Sequence, residues 1–512
     1  YFESPRYVLT EFSGDWAKEV QMSSQDLKFG KKIIDTKLGS RAAMHAYPFF
    51  EIGLGAPASE NTGDVLMGTI GWTGNYRFTF EVDNAGNLRV ISGINPYASA
   101  YELKPNEWFV TPEFIFTLSN QGTGKASRDI HDWARNYQIK DGKGDRLTLL
   151  NNWESTGFNF NEKKLEELMK EAKHLGVDMF LLDDGWFANK YPRQNDKAGL
   201  GDWEVTHDKL PNGIPHLVQV AKDAGVKFGI WIEPEMVSED SELYRKHPDW
   251  ALTIPGRRPV RSRNQLVLDF SRKEVVDEIY DQICKVLDQG NIEYVKWDMN
   301  RSLMDVYSAT TKDQGRVLHD YVLGLYDFLE RLVQRYPNLL IEGCSGGGGR
   351  FDAGMMYYTP QIWCSDNTDA IDRLRIQYGT SFGYPVSVVG SHVSAVPNHQ
   401  TGRKTPLHTR GVVAMSGTFG YELNLMKLSE EEKQEIREQI EEYKRYAPII
   451  QNGLYYRLSN PTTEEICAWE FVHTDEKEQS KVLLNIVMQV IHGNMTVNYV
   501  KLQGLEETAV YR

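Results

Sequence analysis

Glu293-Tyr-Val-Lys-Trp-Asp-Met-Asn-Arg301 is the stretch that decides the fold. Tyr294 and Val295 form an apolar strand core, and Lys296, Trp297, Asp298, Asn300 and Arg301 follow it directly. Charge placed where a buried strand ends is costly unless the strand opens there onto a polar cleft. The arrangement recurs along the chain. Met179-Phe-Leu-Leu182 leads into Asp183-Asp-Gly-Trp186, Phe228-Gly-Ile-Trp231 into Glu233-Pro-Glu235, Leu339-Leu-Ile341 into Glu342-Gly-Cys344, and Gln361-Ile-Trp363 into Cys364-Ser-Asp366. In parallel α/β folds such residues gather at the carboxyl ends of the strands, where active sites form. The pattern is that of an enzyme.

Outward from this stretch, the spacing predicts strands over 147–153, 179–183, 227–233, 293–298, 338–343, 361–366, 387–392 and 417–422. Helical stripes lie between them. Leu165, Leu168, Met169, Ala172 and Leu175 form one, closed by Gly176; Val275, Val276, Ile279, Ile283 and Val286 form another, closed by Gly290. Leu318, Val322, Leu325, Leu329 and Leu332 form a third, ended by Pro337, and Ser429 with Glu432 makes a capping box for a fourth. Eight strands alternating with helices over 141–448 fit a (β/α)8 barrel. Gln265-Leu-Val-Leu-Asp269 is placed in a loop insertion after the third strand. A doubly wound sheet competes, but its chemistry would collect at one switch point rather than at nearly every strand end.

The flanks read differently. Residues 1–140 read as β: Tyr76, Phe78, Phe80 and Val82 alternate with polar neighbours, Asn84-Ala-Gly86 turns the chain, and Leu88 and Val90 resume the alternation. After Pro448 the pattern returns to β, with Cys467, Trp469 and Phe471 alternating and an apolar strand from Val482 to Val490. Residues 449–512 are too few for more than a small antiparallel β-sandwich or part of one.

Lys and Arg total 57 against 71 Asp and Glu, a net charge of −14. With no basic run, this excludes nucleic acid and anionic membrane as natural partners, and no apolar run reaches transmembrane length. Cys284, Cys344, Cys364 and Cys467 are far apart and lack metal-ligand spacing, which points to a reducing, cytoplasmic setting. Tyr1-Phe-Glu-Ser-Pro5 holds neither an initiator Met nor a signal peptide, so the chain is expected to start inside a longer protein.

Asp298 and Asp366, lone carboxylates at separate strand ends, are the sharpest catalytic pair. Glycoside hydrolysis needs one ionised and one protonated carboxyl across the sugar. Lys296, two residues before Asp298 on the same strand face, would keep Asp298 ionised. Trp363 and Cys364 would partly desolvate Asp366, as an acid requires; strand-end capping is the plainer role for both aspartates. Asp183-Asp184 suits either hydroxyl binding or a metal shared with His392 or His399, and hydroxyl binding is preferred because short ligand spacing is missing. Gly343-Cys-Ser345-Gly-Gly347 matches a serine-hydrolase elbow, with Asp366 and His392 following in order. Gly346 to Gly349 are poor helix openers, however; they read better as a loop stripped of side chains so that a ligand can reach the backbone. Trp153, Trp186, Trp231, Trp297 and Trp363 all fall at strand ends and together suggest an aromatic-walled cleft.

Six motifs taken together are similar to the α-galactosidases of glycoside hydrolase family 36: Leu182-Asp-Asp-Gly-Trp-Phe187, Trp231-Ile-Glu-Pro-Glu-Met236, Lys296-Trp-Asp-Met-Asn-Arg301, Cys344-Ser-Gly-Gly-Gly-Gly-Arg-Phe-Asp352, Ser365-Asp-Asn-Thr-Asp369 and His392-Val-Ser-Ala-Val-Pro-Asn-His-Gln400. The resemblance implies an N-terminal β-supersandwich, a (β/α)8 barrel and a C-terminal β-sandwich, with both outer domains shortened here. It implies a retaining exo-α-galactosidase for raffinose-type substrates, with Asp298 as nucleophile and Asp366 as acid/base. It also implies Asp183 and Asp184 on the galactose 4- and 6-hydroxyls and Trp231 as a wall. Arg263, Lys296 and Asn300 become polar ligands, Cys344 and Gly346 the 2-hydroxyl pocket, and Trp153 and Trp363 aromatic contacts. No metal or cofactor is implied, and a homotetramer is. An α-N-acetylgalactosaminidase or a raffinose-synthase-like galactosyl transferase shares the scaffold. A sugar-binding fragment without turnover is a further alternative. Cys364 stands where the family more often has Thr, and Phe382-Gly-Tyr-Pro385 and Val388-Val-Gly-Ser391 also differ from its commoner sequences.

Overall fold

A computed structural model describes residues 1–475, 479–495 and 497–511. Its centre is a closed barrel of eight parallel strands in sequence order. They are β1 (Leu149–Asn151), β2 (Met179–Leu182), β3 (Lys227–Ile232), β4 (Tyr294–Trp297), β5 (Leu340–Gly343), β6 (Gln361–Trp363), β7 (Val389–Ser394) and β8 (Thr418–Glu422). Each lies within or overlaps its expected stretch. The register sets Trp231 opposite Lys296 and Lys296 opposite Glu342, so neighbouring strands deliver polar residues at one level. Pairing of Leu149 with Gly420 closes the ring.

The helices between the strands bury the stripes that the spacing predicts. Glu162–Leu175 is capped by Asn161, whose side chain accepts from the Lys164 N–H, and ends at left-handed Gly176 (φ 94°). Lys273–Leu287 stops at Asp288, two residues before the expected Gly290. Leu266–Val267 pairs antiparallel with Met236–Val237, inside the insertion after β3.

Two expectations are corrected. Residues 1–140 are not all β, because helix Gly122–Trp133 follows the last sandwich strand and buries Ala126 and Ile130. Gly122 sits at φ 79°, and a Cβ there would lie 2.6 Å from the Thr62 nitrogen, so a glycine forms the tight entry to this helix. The return to β also comes later than Pro448. Helix Glu430–Asn452 opens on the predicted capping box and runs through that proline. The lost N–H is tolerated because Ile449 and Ile450 beyond it are buried.

The N-terminal region is a two-sheet sandwich. A four-stranded sheet (Phe2–Glu3, Asn87–Ile94, Tyr76–Val82, Gly30–Asp35) faces a five-stranded one (Gln21–Asp26, Tyr7–Ser13, Ala46–Leu54, Asp64–Ile70, Phe114–Ser119). Phe50 of the second meets Phe78 and Phe80 of the first at ring-centroid distances of 5.1 and 4.7 Å. The C-terminal part, among the described residues, is a single antiparallel sheet of Leu454–Arg457, Ile466–Thr474 and Ser480–Met488. Its Arg457 guanidinium is buried. It donates to Glu60 of the sandwich (2.9 Å), Ser127 of the connecting helix (3.0 Å) and Ser381 of a barrel helix (3.1 Å).

Candidate active site

The carboxyl ends of the barrel strands open into one cavity of about 680 Å³. Asp183, Asp184, Trp153, Trp231, Arg263, Lys296, Asp298, Asn300, Cys344, Gly346, Trp363 and Asp366 all line it. Its volume is that of a small-molecule site. Of the five strand-end tryptophans, Trp153, Trp231 and Trp363 reach the cavity, whereas Trp186 and Trp297 are fully buried behind it. Trp186 donates to the Trp231 carbonyl (2.8 Å), and Trp297 donates to Glu235 (2.9 Å). A buried indole needs an acceptor, and here both serve to brace the cavity wall.

Asp298 follows β4 and accepts hydrogen bonds on both oxygens. The Asn300 amide (2.7 Å) and the Trp231 indole (3.3 Å) donate to Oδ2, while the Met299 N–H (2.9 Å) and the Gly346 N–H (3.3 Å) donate to Oδ1. Burial works to raise its pKa, but Lys296, Arg263 and hydrogen bonds such as that from the Asn300 amide outweigh it and hold Asp298 below the usual carboxylate range. Lys296 acts through space, because its ammonium bonds Asp183 instead (2.8 Å), which also accepts from the Asn151 amide (2.7 Å). Asp184 takes a two-pronged bond from the buried Arg193 guanidinium (3.1 and 3.0 Å). The two β2 carboxylates are thus occupied by cations of this chain. Among the described residues, the His, Cys, Asp and Glu group close enough to share a metal is Glu162, Glu166 and His216, outside the cavity lining.

Arg263 reaches the cavity from a two-residue hairpin turn. Arg263 and Asn264 both have positive φ (50° and 57°), and the Gln265 N–H donates to the Ser262 carbonyl (3.2 Å). This is the primed turn that suits Asn but strains Arg. Asp366, after β6, is gripped by two indoles: Trp363 donates to Oδ1 (3.1 Å) and Trp16 to Oδ2 (3.0 Å).

The glycine loop corrects one reading and removes another. A Cβ on Gly346 would meet the Arg41 guanidinium at 2.6 Å, one on Gly347 would meet Glu19 at 2.7 Å, and one on Gly348 would meet the Cys364 carbonyl at 2.6 Å. The loop is therefore bare to let the N-terminal sandwich and β6 close on it, as well as to line the cavity. Ser345 is buried, donates its hydroxyl to the Met299 carbonyl and accepts from Arg41 (3.2 Å). His392 is engaged by Glu422 (3.0 Å), so no elbow-type nucleophile is assembled. Cys364 does not face Asp366; its sulfur lies by the Arg373 guanidinium (3.0 Å) and the Gly390 carbonyl. Burial pushes its thiol up to about 11 and raises that of Cys344 well above the ordinary thiol range, so both are neutral.

Several lining residues escape sequence reasoning. Trp16 and Arg41 come from the sandwich, more than 300 residues away from the groups they bond, and carry no local signal. Glu154 follows Trp153 and accepts from Thr368 (3.0 Å). Burial, then the nearby Glu422 carboxylate, pushes its carboxyl up to about 9. The folded chain keeps this proton where the unfolded chain, at its ordinary 4.5, has released it, so stability falls as pH rises from about 4.5 to 9. Glu154→Gln removes that loss. Its unfolding midpoint relative to the parent is expected to improve between pH 5 and pH 8, and a flat difference in thermal melts at the two pH values counts against it.

Comparison with known proteins fixes the family. The Melibiase family pattern matches residues 108–453, and the glycosyl hydrolase family 36 N-terminal domain pattern matches 1–104. The chain belongs to glycoside hydrolase family 36. It is 50% identical to the bifunctional α-galactosidase/sucrose kinase AgaSK of Mediterraneibacter gnavus, over 100% of this chain and 53% of that protein. It is 44% identical to α-galactosidase Mel36A of Lactobacillus acidophilus, over 100% of this chain and 69% of the relative. The crystal structure of the family 36 α-galactosidase AgaA from Geobacillus stearothermophilus superposes with a TM-score of 0.95 at 43% identity, covering 99% of this chain and 70% of that one. A variant of AgaA has been solved with raffinose bound. The chain thus spans about half the length of AgaSK and some two thirds of the other two. The Melibiase match takes in both the last sandwich strand, Phe114–Ser119, and helix Gly122–Trp133.

Proposed function

We propose that this glycoside hydrolase is a retaining exo-α-galactosidase that releases terminal galactose from raffinose-type oligosaccharides. The observation that carries the reading is the contrast between two aspartates on one cavity. Asp298 is buried, held by four donors and kept ionised. Asp366 is half-buried and, among the described side chains, bound by indole N–H groups. Gly346 and Gly347 connect them: the first donates to Asp298, and a Cβ on the second would sit 2.9 Å from the Asp366 nitrogen. Both carboxyls border one cavity, which supports a reading in which they flank one glycosidic bond.

In this reading an Asp298 oxygen attacks the anomeric carbon as the glycosidic C–O bond breaks, and Asp366 gives its proton to the departing oxygen. Asp366 then takes a proton from water, which displaces Asp298 and restores the α configuration. Asp183, Asp184 and Lys296 form a fixed polar corner for the 4- and 6-hydroxyls, with Trp231 as the apolar wall. Arg263 and Asn300 supply further donors, and Trp153 and Trp363 border the aglycone side. The relatives named as α-galactosidases and the raffinose complex of AgaA support the substrate class.

A side-by-side assay of aryl glycosides tests the specificity. In the proposed pose, Cys344 and Gly346 line the cavity beside the 2-hydroxyl, where an acetamido group would have to fit. The aryl α-galactoside is expected to be cleaved with kcat/KM at least about 100-fold above the α-N-acetylgalactosaminide. Proton NMR should show α-galactose first. Equal rates, or initial β-galactose, would reject the reading.

A further inference from the structure

We infer that the hairpin loop at residues 14–20 of the N-terminal sandwich positions the acid/base segment of the barrel, with Trp16 as the residue that orients the Asp366 carboxyl. The inference rests on the acid/base reading of Asp366 given above.

The loop joins strands Tyr7–Ser13 and Gln21–Asp26 and crosses to the residues just after β6. All three consecutive residues there are tied to it. Ser365 donates its hydroxyl to Glu19, Asp366 accepts from the Trp16 indole (3.0 Å), and the Asn367 amide donates to the Ala17 carbonyl (3.1 Å). Within the loop, the Ala17 N–H donates to the other Glu19 oxygen (3.2 Å) and the Trp16 N–H to Asp15 (2.7 Å). Glu19 is buried against Gly347 of the glycine loop, where a Cβ would sit 2.7 Å from its Oε1.

The loop holds this shape at a backbone cost. Ala17 and Val20 adopt positive φ (63° and 51°), and for a β-branched residue that conformation persists only where the surroundings enforce it. Core packing does not explain Trp16, which remains 50% exposed while it borders the cavity. What its indole does is direct one N–H at Oδ2, opposite the Trp363 N–H on Oδ1. Two donors on two oxygens fix the plane of the carboxyl. A general acid works only when its proton is aimed at the departing oxygen. Removing one donor leaves the carboxyl free to turn.

The consequence is selective by leaving group. A phenyl α-galactoside departs as a basic phenolate and needs the proton, whereas 2,4-dinitrophenolate departs without one. Trp16→Phe keeps an aromatic ring in the exposed position and removes the N–H donor. The measurement is kcat/KM on these two substrates for the parent, Trp16→Phe and Asp366→Ala, together with unfolding midpoints. The phenyl-to-dinitrophenyl ratio is expected to fall about tenfold in Trp16→Phe, in the same direction as in Asp366→Ala. A purely structural loss lowers both substrates alike, so an unchanged ratio in Trp16→Phe overturns the inference. If Asp366→Ala itself leaves the ratio unchanged, the acid/base reading is what fails.

Discussion

Asp298→Ala is expected to lower kcat/KM on an aryl α-galactoside by on the order of 10⁵-fold, the scale of losing a covalent nucleophile. The size follows from how completely the site is committed to this carboxylate. Four donors converge on it, and Lys296 and Arg263 hold it charged against the cost of burial. Those donors exist to stabilise an anion, and alanine offers them none. The variant leaves a small, positively biased gap beneath the anomeric carbon, which suits an anionic surrogate. Azide added to Asp298→Ala with a dinitrophenyl substrate should therefore give β-galactosyl azide, formed by a single inversion. Activity near that of the parent, without azide, would remove Asp298 from its role.

Asp366→Ala is expected to behave differently. Hydrolysis of raffinose should drop by roughly 10²–10⁴-fold, the usual contribution of a general acid, while 2,4-dinitrophenyl α-galactoside reacts far less impaired in its first step. The galactosyl-enzyme should then accumulate, because the base that activates water is also missing. Azide needs no such base, and here it should yield α-galactosyl azide after two inversions. The opposite anomers from the two variants separate the roles of the two aspartates in one product analysis. The β anomer from both, or the α anomer from both, would contradict the assignment.

The barrel was legible in the sequence because each of its strands couples an apolar run to polar residues at one end, a pairing that burial on both faces imposes. Asp183, Asp298 and Asp366 stand out for the same reason. The flanks of the barrel misled. Residues 1–140 read as β throughout, yet Gly122 opens a helix there, since its positive φ lets the chain pass beside Thr62. Pro448 reads as a stop, yet burial of Ile449 and Ile450 carries the helix past it. The contributions of Trp16, Glu19 and Arg41 were not legible at all. Each meets its partner across more than 300 residues, so no periodicity or spacing marks it. Arg193 was missed for a milder reason: nine residues from Asp184, in a loop, it looks like any surface cation until folding buries it.

The guanidinium of Arg457 joins regions that the chain order keeps apart. Because Glu60, Ser127 and Ser381 share one buried cation, none of the sandwich, the connecting helix and the barrel can swing open without stranding a charge in a dry interior. In denaturant the three parts are therefore expected to come apart together, in a single transition. Excising the barrel as a minimal catalyst would cut through that joint, and with it the scaffold that brings the sandwich to the mouth of the sugar cavity.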